Sequence, residues 1–185
     1  MNDGKDRILG VIGGFTGRDG EPSGDTEIYI LKSMWLMMLS EFEASVKLRV
    51  ENYIDEIKQK DISNIHICLL VRNFFGNKKE ELTLNKIVSF YKKDPNTISY
   101  TNFTRDRVPK YKTEAVEKLF NNLGIFFTDS ERSSLSLLDS IASTRDSIAH
   151  GDFEVQITRS ELAIHLNALN DLLTLLDRKL QDSLS

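Results

Sequence analysis

Arg145, Asp146 and His150 fall within six consecutive positions near the end of a 185-residue chain. Their types suit chemistry on an anion. A guanidinium is always charged and presents a planar fork of donors that fits phosphate oxygens. An imidazole, with an ordinary pKa near 6.5, can accept and release a proton near neutral pH. A carboxylate beside them can orient either group.

The element that must position them reads as a helix. Thr128 followed by Glu131 forms a capping-box pattern, which satisfies free backbone N–H groups at a helix start. Leu135, Leu138, Ile141, Ala142, Ile148 and Ala149 recur at three- and four-residue spacing, and Gly151 stands where a C-terminal cap belongs. At about 100° per residue, Arg145 falls near the centre of that apolar face. It therefore has a carboxylate partner, lines a cleft open to solvent or an anion, or snorkels past the core. His150 lies roughly 140° around a regular helix from Arg145. The two converge only if the last turn unwinds at Gly151 or if a second subunit completes the site. The plainer role for His150 is a cap that favours the C-terminal end of the helix dipole.

Arg-Asp-x-x-Ala-His-Gly closing a helix near the end of a small helical chain resembles the HEPN superfamily. The family signature is Arg-x4-6-His, often with Asn, Asp or His directly after the Arg, and Arg145, Asp146 and His150 match it. The resemblance implies an all-helical, usually dimeric domain. It also implies a metal-independent endoribonuclease, with His150 moving the ribose 2′-OH proton and Arg145 holding the charge that builds on phosphate. Asp146 would orient Arg145 or His150. No cofactor is implied, and no Cys/His/Asp cluster marks a metal site, although the carboxylates leave magnesium open. One branch, silenced by adenylylation, carries Tyr two residues after the His. This chain has Asp152 there, so the resemblance does not extend to that regulation.

Two long helices should frame the site. From Thr26 to about Lys60, Leu31, Trp35, Met38, Phe42, Val46, Tyr53 and Ile57 keep to one broad face. Thr158 and Glu161 form a second capping box, followed by Leu162, Leu166, Leu169, Leu173, Leu176 and Leu180 in near-heptad spacing. Glu43 borders the apolar face of the first long helix. It is either a solvated surface residue or the partner of Arg145, in the manner of the acidic position that many HEPN first helices carry. The expected fold is all-α: a compact up-and-down bundle with two long antiparallel helices as its spine, HEPN-like.

Between these helices, Ile62–Phe75 fits helix or strand by period, and the helical surroundings favour helix. Leu82–Lys93 and Thr113–Leu123 read as short amphipathic helices. Lys92, Lys93, Arg105, Arg107, Lys110 and Lys112 share one segment with Tyr100, Phe103 and Tyr111. That mix suits phosphate contact and base stacking on single-stranded RNA, with Arg105, Arg107, Lys110 and Lys112 as the substrate-binding set. A solvated loop whose aromatics plug the core is the simpler reading.

Residues 1–25 hold seven of the ten glycines. Without Gly-Lys-Ser/Thr they do not make a phosphate loop, and a mobile or loosely packed arm is expected, ahead of a helical domain over 26–185. The single Cys68 excludes a disulfide within the chain and reads as a small core residue, with His66 beside it in core or interface. Net charge −4 argues against a protein that coats nucleic acid nonspecifically, but not against a local basic site. Ile8–Phe15 is too short and glycine-broken for a membrane span, and acids replace the basic flank of a signal peptide, so a cytoplasmic protein without membrane contact is expected.

The resemblance implies a homodimeric, RNA-cutting domain that acts as a toxin or defence effector held by an antitoxin or other defence-system partner. The alternative is a non-catalytic HEPN-like dimer that binds nucleotide or protein. A plain helical adaptor leaves Arg145 unexplained.

Overall fold

In the computed structural model, residues 2–15, 20–59 and 112–184 are described. They form six helices and no strand: α1 (Asn2–Ile12), α2 (Asp25–Gln59), α3 (Thr113–Asn122), α4 (Asp129–Leu135), α5 (Leu137–Ala149) and α6 (Arg159–Asp182). The all-α expectation holds. No helix among the described residues is long and apolar enough to cross a membrane.

The core is built where the apolar periods placed it. Leu31, Trp35, Met38, Phe42, Val46 and Tyr53 of α2 are buried, joined by Leu39, Val50 and Ile54. From α6, Leu162, Leu166, Leu169, Leu173, Leu176 and Leu180 are buried, joined by Leu172. Both long helices thus give a wide stripe to one common core, as amphipathic helices of globular domains do.

The relative direction of the two long helices differs from expectation. Trp35 packs edge-on against His165, with ring centroids 5.0 Å apart. Further along, Arg49 Nε donates to Asp177 Oδ1 at 2.7 Å, and Ser183 Oγ donates to Tyr53 Oη at 2.9 Å. Residue numbers rise together along both helices, so α2 and α6 run parallel, not antiparallel. The antiparallel partner is the α4–α5 segment. It starts beside the C-terminal end of α6, where Lys179 meets Glu131 at 2.8 Å. It finishes beside the N-terminal part of α2, where Lys32 Nζ donates to the Asp152 carbonyl at 3.0 Å. A parallel pair needs a crossover, and the returning α4–α5 forms part of it.

Two local departures have physical reasons. The single helix expected from Thr128 to Gly151 is divided at Ser136. Its first half has the predicted capping box at Thr128 and Glu131. At the break, the Leu135 carbonyl accepts the Thr113 hydroxyl at 2.7 Å, and the Asp139 N–H turns to Ser136 O. The N-terminus of α3 is thereby pinned to the junction, with the Thr113 N–H donating to Asp139 Oδ1 at 3.1 Å.

The glycine-rich start is likewise no loose arm. Residues 2–12 are helical, and Ile8 and Ile12 are buried against α2 and α6. Burial of this face overrides the weak helix propensity of glycine. The segment after α1 is fastened where Arg159 Nη1 donates to the Phe15 carbonyl.

Ile62–Phe75, Leu82–Lys93, His66 and Cys68 lie outside the described residues. Thr113–Leu123 behaves as read: Val116, Leu119 and Phe120 are buried, and Gly124 leaves the helix at φ +78°.

Candidate functional site

Helix α5 carries a buried row of Leu138, Ile141 and Ala142. The next position in that row is Arg145, as the spacing predicted. Its side chain is not swallowed by the core: 43% of it remains exposed, and Nη1 donates to Asp146 Oδ1 at 3.2 Å. The guanidinium therefore has both of the features that the sequence left as alternatives, a carboxylate partner and access to solvent. Asp146 itself is mostly covered, with 21% of its side chain exposed.

A second carboxylate lies within reach of the Arg145 charge. Glu43 of α2 is half-buried, and burial raises its pKa while the positive charge of Arg145 pulls it back down. That electrostatic coupling identifies Glu43 as a second carboxylate in the field of Arg145. Trp35, two turns earlier on α2, fixes the approach of α5 by donating its indole N–H to the Ile141 carbonyl at 3.2 Å.

His150 closes the helix. The last turn stays regular up to it, since the His150 N–H donates to Asp146 O at 3.0 Å. The chain then reverses in a Schellman arrangement: the Gly151 N–H donates to Ile148 O and the Asp152 N–H to Ser147 O, each at 3.0 Å. Gly151 takes φ +79°, a left-handed conformation that an L side chain resists, so glycine is required there. Two more bonds hold the turn. Asp152 Oδ1 accepts the Glu154 N–H at 2.9 Å, and Lys32 from α2 donates to the Asp152 carbonyl. The imidazole is exposed, on a turn whose backbone is tied from both sides.

The structure thus joins Arg145 to Asp146 and holds Glu43 within reach of the Arg145 charge. It does not join Arg145 to His150, because the helix reaches His150 without unwinding and the offset of roughly 140° persists. Of the four residues expected to bind substrate, Lys112 is exposed at the start of α3, and Arg105, Arg107 and Lys110 lie outside the described residues. Sequence reasoning missed Lys32. A lysine on the flank of an amphipathic helix gives no signal that it will bond a carbonyl 120 residues away.

A model of the family described as RiboL-PSP-HEPN matches residues 16–182. No curated protein and no solved structure matches the chain.

Proposed function

The chain belongs to the RiboL-PSP-HEPN family of HEPN domains, and from that premise we propose that it is a metal-independent endoribonuclease working as a homodimer. The observation that carries this reading is the end of α5. There a half-exposed arginine is held by the Asp146 carboxylate, and an exposed histidine sits on a fixed turn five residues later.

In this reading, His150 removes the ribose 2′-OH proton and the 2′-oxygen attacks the neighbouring phosphorus. The bond from phosphorus to the 5′-oxygen breaks, and that oxygen takes up a proton. The products are a 2′,3′-cyclic phosphate and a 5′-hydroxyl end. Arg145 holds the phosphate oxygens as charge builds on them, and Asp146 keeps the guanidinium in place.

Because one chain does not bring Arg145 and His150 together, the phosphate is placed at a two-fold interface. A C2 contact presents the same patch from both protomers, so the Arg of one can work beside the His of its partner. Sedimentation should show a dimer at micromolar concentration; a fully active monomer overturns the shared cleft. Lys112, with Arg105, Arg107 and Lys110, is proposed to guide the RNA toward this cleft. In the cell, such an activity suits a toxin or defence effector restrained by a partner protein.

The competing reading is a non-catalytic dimer that binds nucleotide or protein. It draws on the same separation of Arg145 from His150. Purified protein on a mixed-sequence RNA panel with EDTA present decides between them. Cleavage should persist in the chelator, leave cyclic phosphate ends, and stop when deoxyribose replaces ribose at the cut site. If the wild type cuts nothing, or an Arg145→Ala/His150→Ala double variant cuts equally well, the binding module replaces the enzyme.

A further inference from the structure

Phe153 stands three residues beyond His150 with 83% of its surface exposed, the most exposed large apolar side chain among the described residues. Its apolar neighbours behave differently: Ile157 is buried, and Val155 packs against the core. The chain between α5 and α6 therefore turns two of its three apolar residues inward and leaves the aromatic one out.

That exposure is not a by-product of a loose loop. The turn is closed by the Schellman bonds at Gly151, by Asp152 Oδ1 accepting the Glu154 N–H, and by Lys32 donating to the Asp152 carbonyl. The Asp152 carboxylate is drawn back onto its own turn by the bond to Glu154. Across the Lys32–Asp152 tie, Tyr29 lies one turn before Lys32 on α2 and is 61% exposed. Two exposed aromatic residues thus flank the bond that anchors the motif.

We propose that Phe153 is a stacking platform for an unpaired nucleobase, seated next to the phosphate that Arg145 and His150 engage. Three residues of chain span at most about 11 Å, so Phe153 and His150 are carried on one short stretch of backbone. An aromatic face stacks on any base without reading its sequence, whereas a paired base has its faces covered by its neighbours. A single strand would be bound with one base on Phe153 and the adjoining phosphate at Arg145 and His150. The inference rests on the RNA reading of the site and adds to it a base-binding position at Phe153.

The test measures binding apart from cleavage. A mixed-sequence 2′-O-methyl oligonucleotide cannot be cut through the 2′-oxygen, so the full chain can be titrated with it at equilibrium. Phe153→Leu, which keeps the bulk and removes the ring, should weaken binding by about tenfold. Phe153→Trp should bind at least as tightly as the wild type. The same strand annealed into a duplex should bind weakly to all three proteins, with no difference between them.

Equal affinity of Phe153→Leu and wild type overturns the platform, and so does a wild type that does not bind the single strand. A Phe153→Leu protein that sediments as a monomer while the wild type is a dimer also overturns it, because a second copy then covers the ring. Failure of the ribonuclease reading looks different. In that case wild type leaves cleavable RNA intact, while the dependence of strand binding on the ring is still measured.

Discussion

At one end of the α4–α5 segment, Glu131 accepts the Thr128 N–H and meets Lys179 at 2.8 Å and Arg178 at 3.5 Å. At the other end, Arg145 has a carboxylate at 3.2 Å but keeps 43% of its side chain open, and His150 is exposed. The chemistry is similar at both ends, with carboxylates and cations at helix termini, yet the degree of satisfaction is opposite. Burial alone would raise the pKa of Glu131, but the bonds from Lys179 and Thr128 and the charge of Lys179 bring it down to about 2. A carboxylate so fully used cannot also serve a substrate. Around Arg145 the polar groups are held in position with donors and surface to spare, which is what a site for an incoming anion needs. The difference separates charges that are satisfied within the fold from charges that the fold leaves open to solvent.

The sharpest way to break that division is to exchange the consequences of mutation at the two ends. Arg145→Ala and His150→Ala should each lower RNA cleavage by at least about a hundredfold. Thermal stability should change little, since both side chains already face solvent in part. Loss of folding without a specific loss of activity in correctly folded protein would place these residues with Glu131, as structural charges.

Glu131→Ala should do the reverse. It removes the reciprocal cap of α4 and the link to α6, at a cost of about 2 kcal/mol. Cleavage per folded molecule should be unchanged. The acid dependence gives a second readout. With its folded pKa depressed from 4.5 to about 2, Glu131 contributes stability that is present above the unfolded value and is lost as pH falls toward the folded one. The stability gap between wild type and Glu131→Gln should therefore shrink steadily from pH 5 to pH 2. A gap independent of pH in denaturant titrations would mean that the charge is not what holds this end.

Much of this contrast is legible in the residues, and the parts that are not share a cause. Both capping boxes, the buried row leading to Arg145 and the glycine closure after His150 depend on neighbours within about one helical turn, so spacing reveals them. The parallel run of α2 and α6 depends on how the intervening chain returns, which no local period encodes. The break at Ser136 needs Thr113, 22 positions away from the carbonyl it takes. The helix at residues 2–12 forms because Ile8 and Ile12 find a core, against the tendency of its glycines. The exposure of Phe153 has a related cause: its spacing from Val155 and Ile157 does not separate it from them, and only the fold shows which of the three stays outside.

Lys32 offers an intermediate test, because it links a long structural helix to the turn that carries His150. Lys32→Met keeps most of the aliphatic stem and removes the donor to the Asp152 carbonyl. Cleavage should fall by roughly fivefold, as expected when a catalytic group loses part of its positioning while its chemistry is untouched. The fall should appear mainly in kcat, and the shape of the pH profile should be preserved. Lys32→Arg, which retains a donor, should recover part of the rate. Unchanged kcat in Lys32→Met would show that the Schellman closure fixes His150 without help from α2.

The smallest expected effect concerns the carboxylate within reach of the Arg145 charge. Burial raises the pKa of Glu43, and the Arg145 charge partly offsets it. In the window between its unfolded and folded pKa values, the unfolded chain has released a proton that the folded chain still binds. Any stability linked to Glu43 is therefore full at low pH and declines as pH rises through the folded value. Removing the guanidinium removes the offset, so Glu43 should titrate at higher pH in Arg145→Ala than in wild type. Carboxyl carbon shifts followed by NMR read this directly. Glu43→Gln should abolish that part of the pH dependence, because an amide does not ionise. An unmoved Glu43 midpoint in Arg145→Ala would show that Asp146 alone answers the guanidinium, and would leave Glu43 on the structural side of the division.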